Sequence, residues 1–246
     1  MDKQTNKSDR FWLEKRDLDF PFYNDDNFTR RDFLVLLAGV VLFCIWTMIS
    51  AAQLFPAIVK MILYFLVITV PFLIAAKGNI KTIIKRPRLY DIVLITAGAF
   101  AMFISSIVLA LFLVKIGVIV PESAQGNPVV AMEHNTLFYI GLFIQLFGEE
   151  MFKISCFLVV LTFIYRRYGK RKTGIILGMF ISSILFGILH YSAYGNLLQV
   201  ILVQGLGSGM IGIYQYLRTK NILVSYASHV LLDLFALASA ALLMMI

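Results

Sequence analysis

The chain has 246 residues, 60% of them hydrophobic and 15% charged, with a mean hydropathy of +0.84 and a formal net charge of +8. That composition excludes a water-soluble globular domain, whose exterior needs about a quarter of all residues to be charged. The positive residues fall in short blocks between apolar runs and form no stripe that could follow a nucleic-acid backbone, so the expected partner is anionic membrane lipid and no nucleic acid.

In chain order, residues 1–32 are polar and read as a cytoplasmic or interfacial N-terminal segment. Within it, Trp12 to Asp32 mixes aromatics with charges, as a stretch lying along a membrane surface does; a disordered tail has the same composition. The apolar run that follows is poorly placed for a cleaved signal and reads as a retained anchor. Spans of about 20 apolar residues are predicted at Phe33–Ala52, Pro56–Ala76, Ile92–Val114, Thr136–Tyr165, Thr173–Tyr191, Asn196–Leu217 and Ile222–Ile246. The fold class is therefore all-α, a polytopic transmembrane bundle of about seven helices. Residues 33–135 supply the first helices and residues 136–246 the rest. The fourth span is the longest, so it must tilt, kink or project beyond the lipid.

Basic loops alternate with loops that lack them, and Lys and Arg are retained on the cytoplasmic side. Lys15, Arg16, Arg30 and Arg31 mark the N-terminal segment, and Lys77, Lys81, Lys85, Arg86 and Arg88 the second connection. Arg166, Arg167, Lys170, Arg171 and Lys172 mark the fourth, and Arg218 and Lys220 the sixth. The connections around Gln53, Pro121–His134 and Ser192–Gly195 carry none. A cytoplasmic N-terminus and an external C-terminus satisfy all four basic segments. Cys44 and Cys156 lie in apolar runs and read as small buried hydrophobes. Gly205 and Gly209, with Gly207, Ser208 and Gly212 beside them, suit close packing of the sixth helix on a neighbour.

Ionisable residues inside the bilayer are expensive, at roughly 2.5–3.5 kcal/mol each on insertion scales, and need a reason. The fourth span holds Glu149, Glu150 and Lys153. Lys153 can pair with Glu149 at i,i+4 or with Glu150 at i,i+3, which explains one carboxylate and leaves the other over. The fifth span ends in Phe186-Gly-Ile-Leu-His190, and the seventh carries His229 and Asp233 at i,i+4 on one helix face. Three helices thus contribute carboxylate, imidazole, and imidazole plus carboxylate, which a joint polar site accounts for economically. His190, His229, Asp233 and Glu149 also make a donor set for a divalent metal such as zinc.

The order Glu-Glu, Phe-x-x-x-His, His-x-x-x-Asp on successive membrane helices resembles the CAAX-processing and bacteriocin-processing (CPBP, or Abi) family of intramembrane proteases, over roughly residues 138–240. The resemblance implies a multi-pass protein of a bacterial cell membrane that cleaves a peptide or lipidated protein substrate. Glu149 would be the general base activating water, His190 would help hold that water, and Glu150 would orient groups or balance Lys153. His229 and the residue four later would stabilise the oxyanion. On this reading no cofactor is required. The sequence departs from the family's pattern twice: Ile154 stands where an Arg is usual, with Lys153 about 100° away around the helix, and Asp233 stands where Asn is common. An ionised Asp only accepts hydrogen bonds, so it would hold and orient His229 and would repel an oxyanion.

Two other functions fit the same residues. One is a catalytically inactive scaffold that binds or regulates a partner membrane protein or confers bacteriocin self-immunity, which the missing Arg favours. The other is a proton-coupled carrier using Glu and His as relays, against which stands the lack of an inverted repeat.

Overall fold

The computed structural model describes residues 11–14, 18–50, 55–120 and 135–243. Lys15, Arg16, and the connections around Gln53 and Pro121–His134 lie outside them. Seven long helices follow in order: α1 (Arg30–Ser50), α2 (Ala57–Ala75), α3 (Leu89–Lys115), α4 (Thr136–Tyr168), α5 (Arg171–Leu189), α6 (Leu197–Thr219) and α7 (Ile222–Leu243). Every predicted span has its helix. Six of the seven are long and apolar enough to cross a membrane; α4 carries Glu149, Glu150 and Lys153 in its middle. With 33 residues, α4 is about 50 Å long, well beyond a hydrocarbon core of about 30 Å.

The outward faces are apolar. On α3, Val93, Ile104, Val108 and Leu111 are each 57–62% exposed, which in water would be an aggregation-prone patch and in lipid is the expected surface. With no hydrophobic drive between helices in lipid, small residues bring them together. A Cβ on Gly148 of α4 would sit 2.7 Å from the Tyr64 carbonyl of α2. Gly39 of α1 gives room to Pro71, the helix-interior proline of α2. Gly187 of α5 and Gly205 of α6 touch backbone to backbone, a Cβ on Gly205 falling 2.7 Å from the Ser183 carbonyl.

Helix α6 departs from the regular helix its hydropathy predicts. Val200–Gly209 is a π-helix, a form usually confined to single turns and often found at functional sites. Its glycines face different neighbours: Gly205 meets α5, Gly207 meets Leu109 of α3, and Gly209 meets the Phe186 ring at 3.0 Å. The packing predicted for these glycines is present.

The described residues of the N-terminal segment fold against the helix bundle. Its aromatics Phe20, Phe22, Tyr23 and Phe28 are 5% exposed or less and belong to the main apolar core. This strap is held by the basic residues expected to face lipid. Arg166 donates to the carbonyls of Phe22, Asp25 and Phe28 at 2.7–2.9 Å, and Arg218 donates to that of Leu13. Arg171 donates through both terminal nitrogens to the Glu14 carboxylate at 2.5 and 2.7 Å, to Asp19 at 2.7 Å and to the Tyr23 hydroxyl at 2.8 Å. Lys220 donates to Glu14 at 3.3 Å and lies 3.7 Å from the Phe20 ring centroid. Burial opposes the charge on Glu14, yet the Arg171 hydrogen bonds and the Lys220 and Arg171 charges outweigh it and hold the carboxyl below its ordinary value. Asp19 is lowered in the same way, burial again being outweighed by Arg171. The arginines serve here because a planar fork matches a carboxylate or two carbonyls at once. Phe22, at φ 76°, is a non-glycine residue in the left-handed region, and its carbonyl accepts from Arg166.

The same end fixes the register of α7. Asn221 accepts from the Lys85 amide and donates to the Lys85 carbonyl, and the Ile222 amide donates to Ile83. Two turns later, Ser228 accepts from Gln215 of α6 at 2.7 Å, tying α7 to α6 one residue before His229.

Candidate active site

Glu149 and Glu150 are adjacent on α4 and therefore point about 100° apart, which gives them different surroundings. Glu150 is fully buried. Its Oε1 pairs with Lys153 and accepts from His229 Nδ1 at 3.0 Å. The i,i+3 partner thus wins over the i,i+4 one. The Lys153 ammonium lies 4.3 Å from the Phe186 ring centroid, and a Cβ on Gly212 would approach it to 3.3 Å and Glu150 Oε2 to 3.8 Å. Phe186 and the missing side chain at 212 create the slot on the Glu150 side of α4. A cation over an aromatic face in a desolvated site gains about 2 kcal/mol, which Lys153 would lose by turning toward Glu149.

Glu149 is 8% exposed and held by Gln145, whose amide donates to its Oε1 at 2.9 Å. Its other oxygen faces His229 Nε2 at 4.0 Å, too far for a direct hydrogen bond. Since Glu150 can only accept, His229 Nδ1 carries a proton, and Nε2 is the nitrogen presented toward Glu149.

His190 closes α5. Its Nδ1 donates to the Phe186 carbonyl at 2.9 Å, which leaves Nε2 for the site. The Phe186 ring joins the two imidazoles, at 4.7 Å from His190 and 5.9 Å from His229, both edge to face. The helices meet because α5 ends at His190 and the chain turns at once through Tyr191–Tyr194. Asp233, 4% exposed and one turn beyond His229, acts electrostatically on that histidine. Glu150 bonds His229, Glu149 faces it, and the Phe186 ring lies between His229 and His190. Ile154 is fully buried in the apolar core, so no cation comes from that position.

Three contributors were given no role from the sequence: Gln145, which donates to Glu149; Phe186, as platform for Lys153 and both histidines; and Tyr194. The Tyr191–Tyr194 turn, ended by Gly195 at φ 70°, exposes Tyr191, Ser192 and Ala193 but draws Tyr194 inward. The Tyr194 ring lies 6.5 Å from that of His190, and burial together with the nearby Asp233 and Glu149 charges raises its hydroxyl above the ordinary tyrosine value. Its position one turn after His190 on the same helical face was the available clue.

Among the described residues, no group of three or more His, Cys, Asp or Glu side chains converges as a metal site requires. Cys44 and Cys156 are free thiols, Cys156 buried.

The arrangement combines a carboxylate in a nearly dry setting, an imidazole that faces it, a second imidazole across the Phe186 ring, and a buried cation paired with the neighbouring glutamate. No curated protein and no solved structure gives a significant match to the chain. The family model described as type II CAAX prenyl endopeptidase Rce1-like matches residues 133–235, the stretch that holds Glu149, Glu150, His190, His229 and Asp233. Over residues 133–235 this integral, multi-pass membrane protein is thus similar to the Rce1-like, CPBP family of proteases.

Proposed function

We propose that the chain is an intramembrane endopeptidase that hydrolyses a peptide bond with a water activated by Glu149, in a peptide or prenylated protein substrate. The observation that carries this is the division of labour between the two glutamates. Lys153 and His229 both bind Glu150, which leaves Glu149 held only from behind by Gln145 and turned toward His229 Nε2. Glu149 takes a proton from water as the oxygen adds to the scissile carbonyl, and passes it to the amine as the C–N bond breaks. His190 Nε2 helps hold the water, and His229 donates to the developing oxyanion, its imidazole fixed by Glu150. Asp233, one turn beyond on the same helix face, supports His229. The basic connections support a cytoplasmic N-terminus and an external C-terminus.

The experiment is cleavage of a farnesylated CAAX-type peptide and of a double-glycine leader peptide by purified protein, compared with Glu149→Gln, His190→Ala and His229→Ala variants of equal thermal stability. General-base loss lowers kcat by about 10²–10⁴-fold. A chelator leaves the rate unchanged. Equal rates in wild type and Glu149→Gln would sink the reading. The second reading, a non-catalytic scaffold for a partner membrane protein, draws on Ile154 in the core where the family has a cation. It predicts no cleavage by any variant and partner capture by all of them.

A further inference from the structure

We infer that Tyr194 is a catalytic residue of this site, its phenolic O–H donating to the oxyanion of the tetrahedral intermediate beside His229. The inference rests on the hydrolytic reading above and names a donor which that reading lacks. An acyl-transfer site needs hydrogen-bond donors aimed where negative charge develops. This one is crowded with groups that repel it: Glu149, Glu150 and Asp233 are all acceptors when ionised. Of the donors present, Lys153 is committed to Glu150, and the Nδ1 protons of His190 and His229 go to the Phe186 carbonyl and to Glu150. The Gln145 amide donates to Glu149. Among the described residues of this cluster, that leaves His229 Nε2 as a single donor against three carboxylates.

Tyr194 is built into the place where a second donor is needed. Its amide donates to the His190 carbonyl, which closes one helical turn and sets its ring on the same side as His190, the two rings tilted with centroids 6.5 Å apart. Its three predecessors in the turn are exposed while it is drawn in, and its hydroxyl lies within electrostatic reach of both Asp233 and Glu149. Burial and those two charges keep the phenol protonated across the working pH range. It therefore donates without ever adding a fourth negative charge. The covalent step is unchanged: water oxygen bonds to the carbonyl carbon, its proton moves to Glu149 and then to the leaving nitrogen, and the phenol keeps its own proton throughout.

The test is a Tyr194→Phe variant, which retains the ring and removes only the hydroxyl, assayed on the farnesylated peptide beside wild type and Glu149→Gln. The expected result is a loss of about 10²-fold in kcat with KM nearly unchanged and an unaltered melting temperature. A wild-type kcat in Tyr194→Phe overturns the inference and leaves the hydrolase reading intact. Equal rates in wild type and Glu149→Gln overturn both. Placement is read without activity from the tyrosine ring-carbon NMR titration, Tyr194 being identified by its loss in Tyr194→Phe. The signal moves to higher pH than that of an exposed tyrosine in the wild type, and part-way back in Asp233→Asn. An ordinary titration overturns the inference whatever the rates.

Discussion

Buried charge is used in two ways at two depths of this molecule. At the strap end, Glu14, Asp19, Arg171 and Lys220 form a network in which both Glu14 oxygens are paired and the Arg171 fork is matched to acidic partners and a phenol. In the middle of the bundle, Glu150 has one oxygen shared by two cationic partners and another, Oε2, with no hydrogen-bond partner. Glu149 stands 4.0 Å from the imidazole it faces. A saturated network fixes geometry and has nothing left to offer a ligand. A partly satisfied one is costly to keep buried, and its open valences are where water and a carbonyl can enter.

If that contrast is right, the two regions fail differently. Removing Glu149 at the centre affects rate by the 10²–10⁴-fold given above and leaves folding alone. Removing the central cation of the strap does the reverse. Arg171→Leu leaves Glu14 buried beside Lys220 alone and should lower unfolding free energy by about 3–5 kcal/mol, the usual effect of breaking a buried pair. Peptide cleavage by the fraction that remains folded should continue at the wild-type rate. A stable Arg171→Leu protein with impaired cleavage would reverse the comparison. The connection between the regions is probed by Gly187→Ala, whose methyl would overlap the Val200 carbonyl and come within 3.0 Å of Gly205. Overpacking of this kind costs about 1–3 kcal/mol. Because Gly187 lies three residues before His190, cleavage should fall along with stability.

The smallest effect is an acid dependence at the strap. Glu14 and Asp19 are held below their ordinary values of 4.5 and 3.8. Their stabilisation is complete above those values and is lost as pH falls through the lowered ones, because the unfolded chain then binds protons the folded chain resists. The melting temperature should drop as pH falls below 4.5, and drop less in Arg171→Leu, where the main cause of the lowering is gone. Parallel acid profiles for the two proteins would show that the strap carboxylates are not responsible.

How much of this could be read from the residues differs by element. The seven spans were legible because a crossing must be apolar for about 20 residues, whatever it packs against. The five candidate residues stood out for the converse reason, since ionisable groups in such runs are expensive to bury. The strap was not. Phe20, Phe22, Tyr23 and Phe28 follow neither a helical nor a strand period, and charged residues among aromatics look the same on a surface as folded under Arg166 and Arg171. The π stretch of α6 was hidden as well, because glycine spacing reports close packing but not the shift from i,i+4 to i,i+5 bonding.

By itself, then, the sequence determined a helical membrane protein and the short list of groups its chemistry could use, because hydropathy and the cost of buried charge act locally along the chain. Only the tertiary structure decided which glutamate Lys153 takes, how His190 reaches His229 and that Tyr194 turns inward. Those outcomes depend on what the neighbouring helices present: the Phe186 ring, the bare backbone at Gly212 and the early end of α5. No residue can specify those contacts until the helices are packed together.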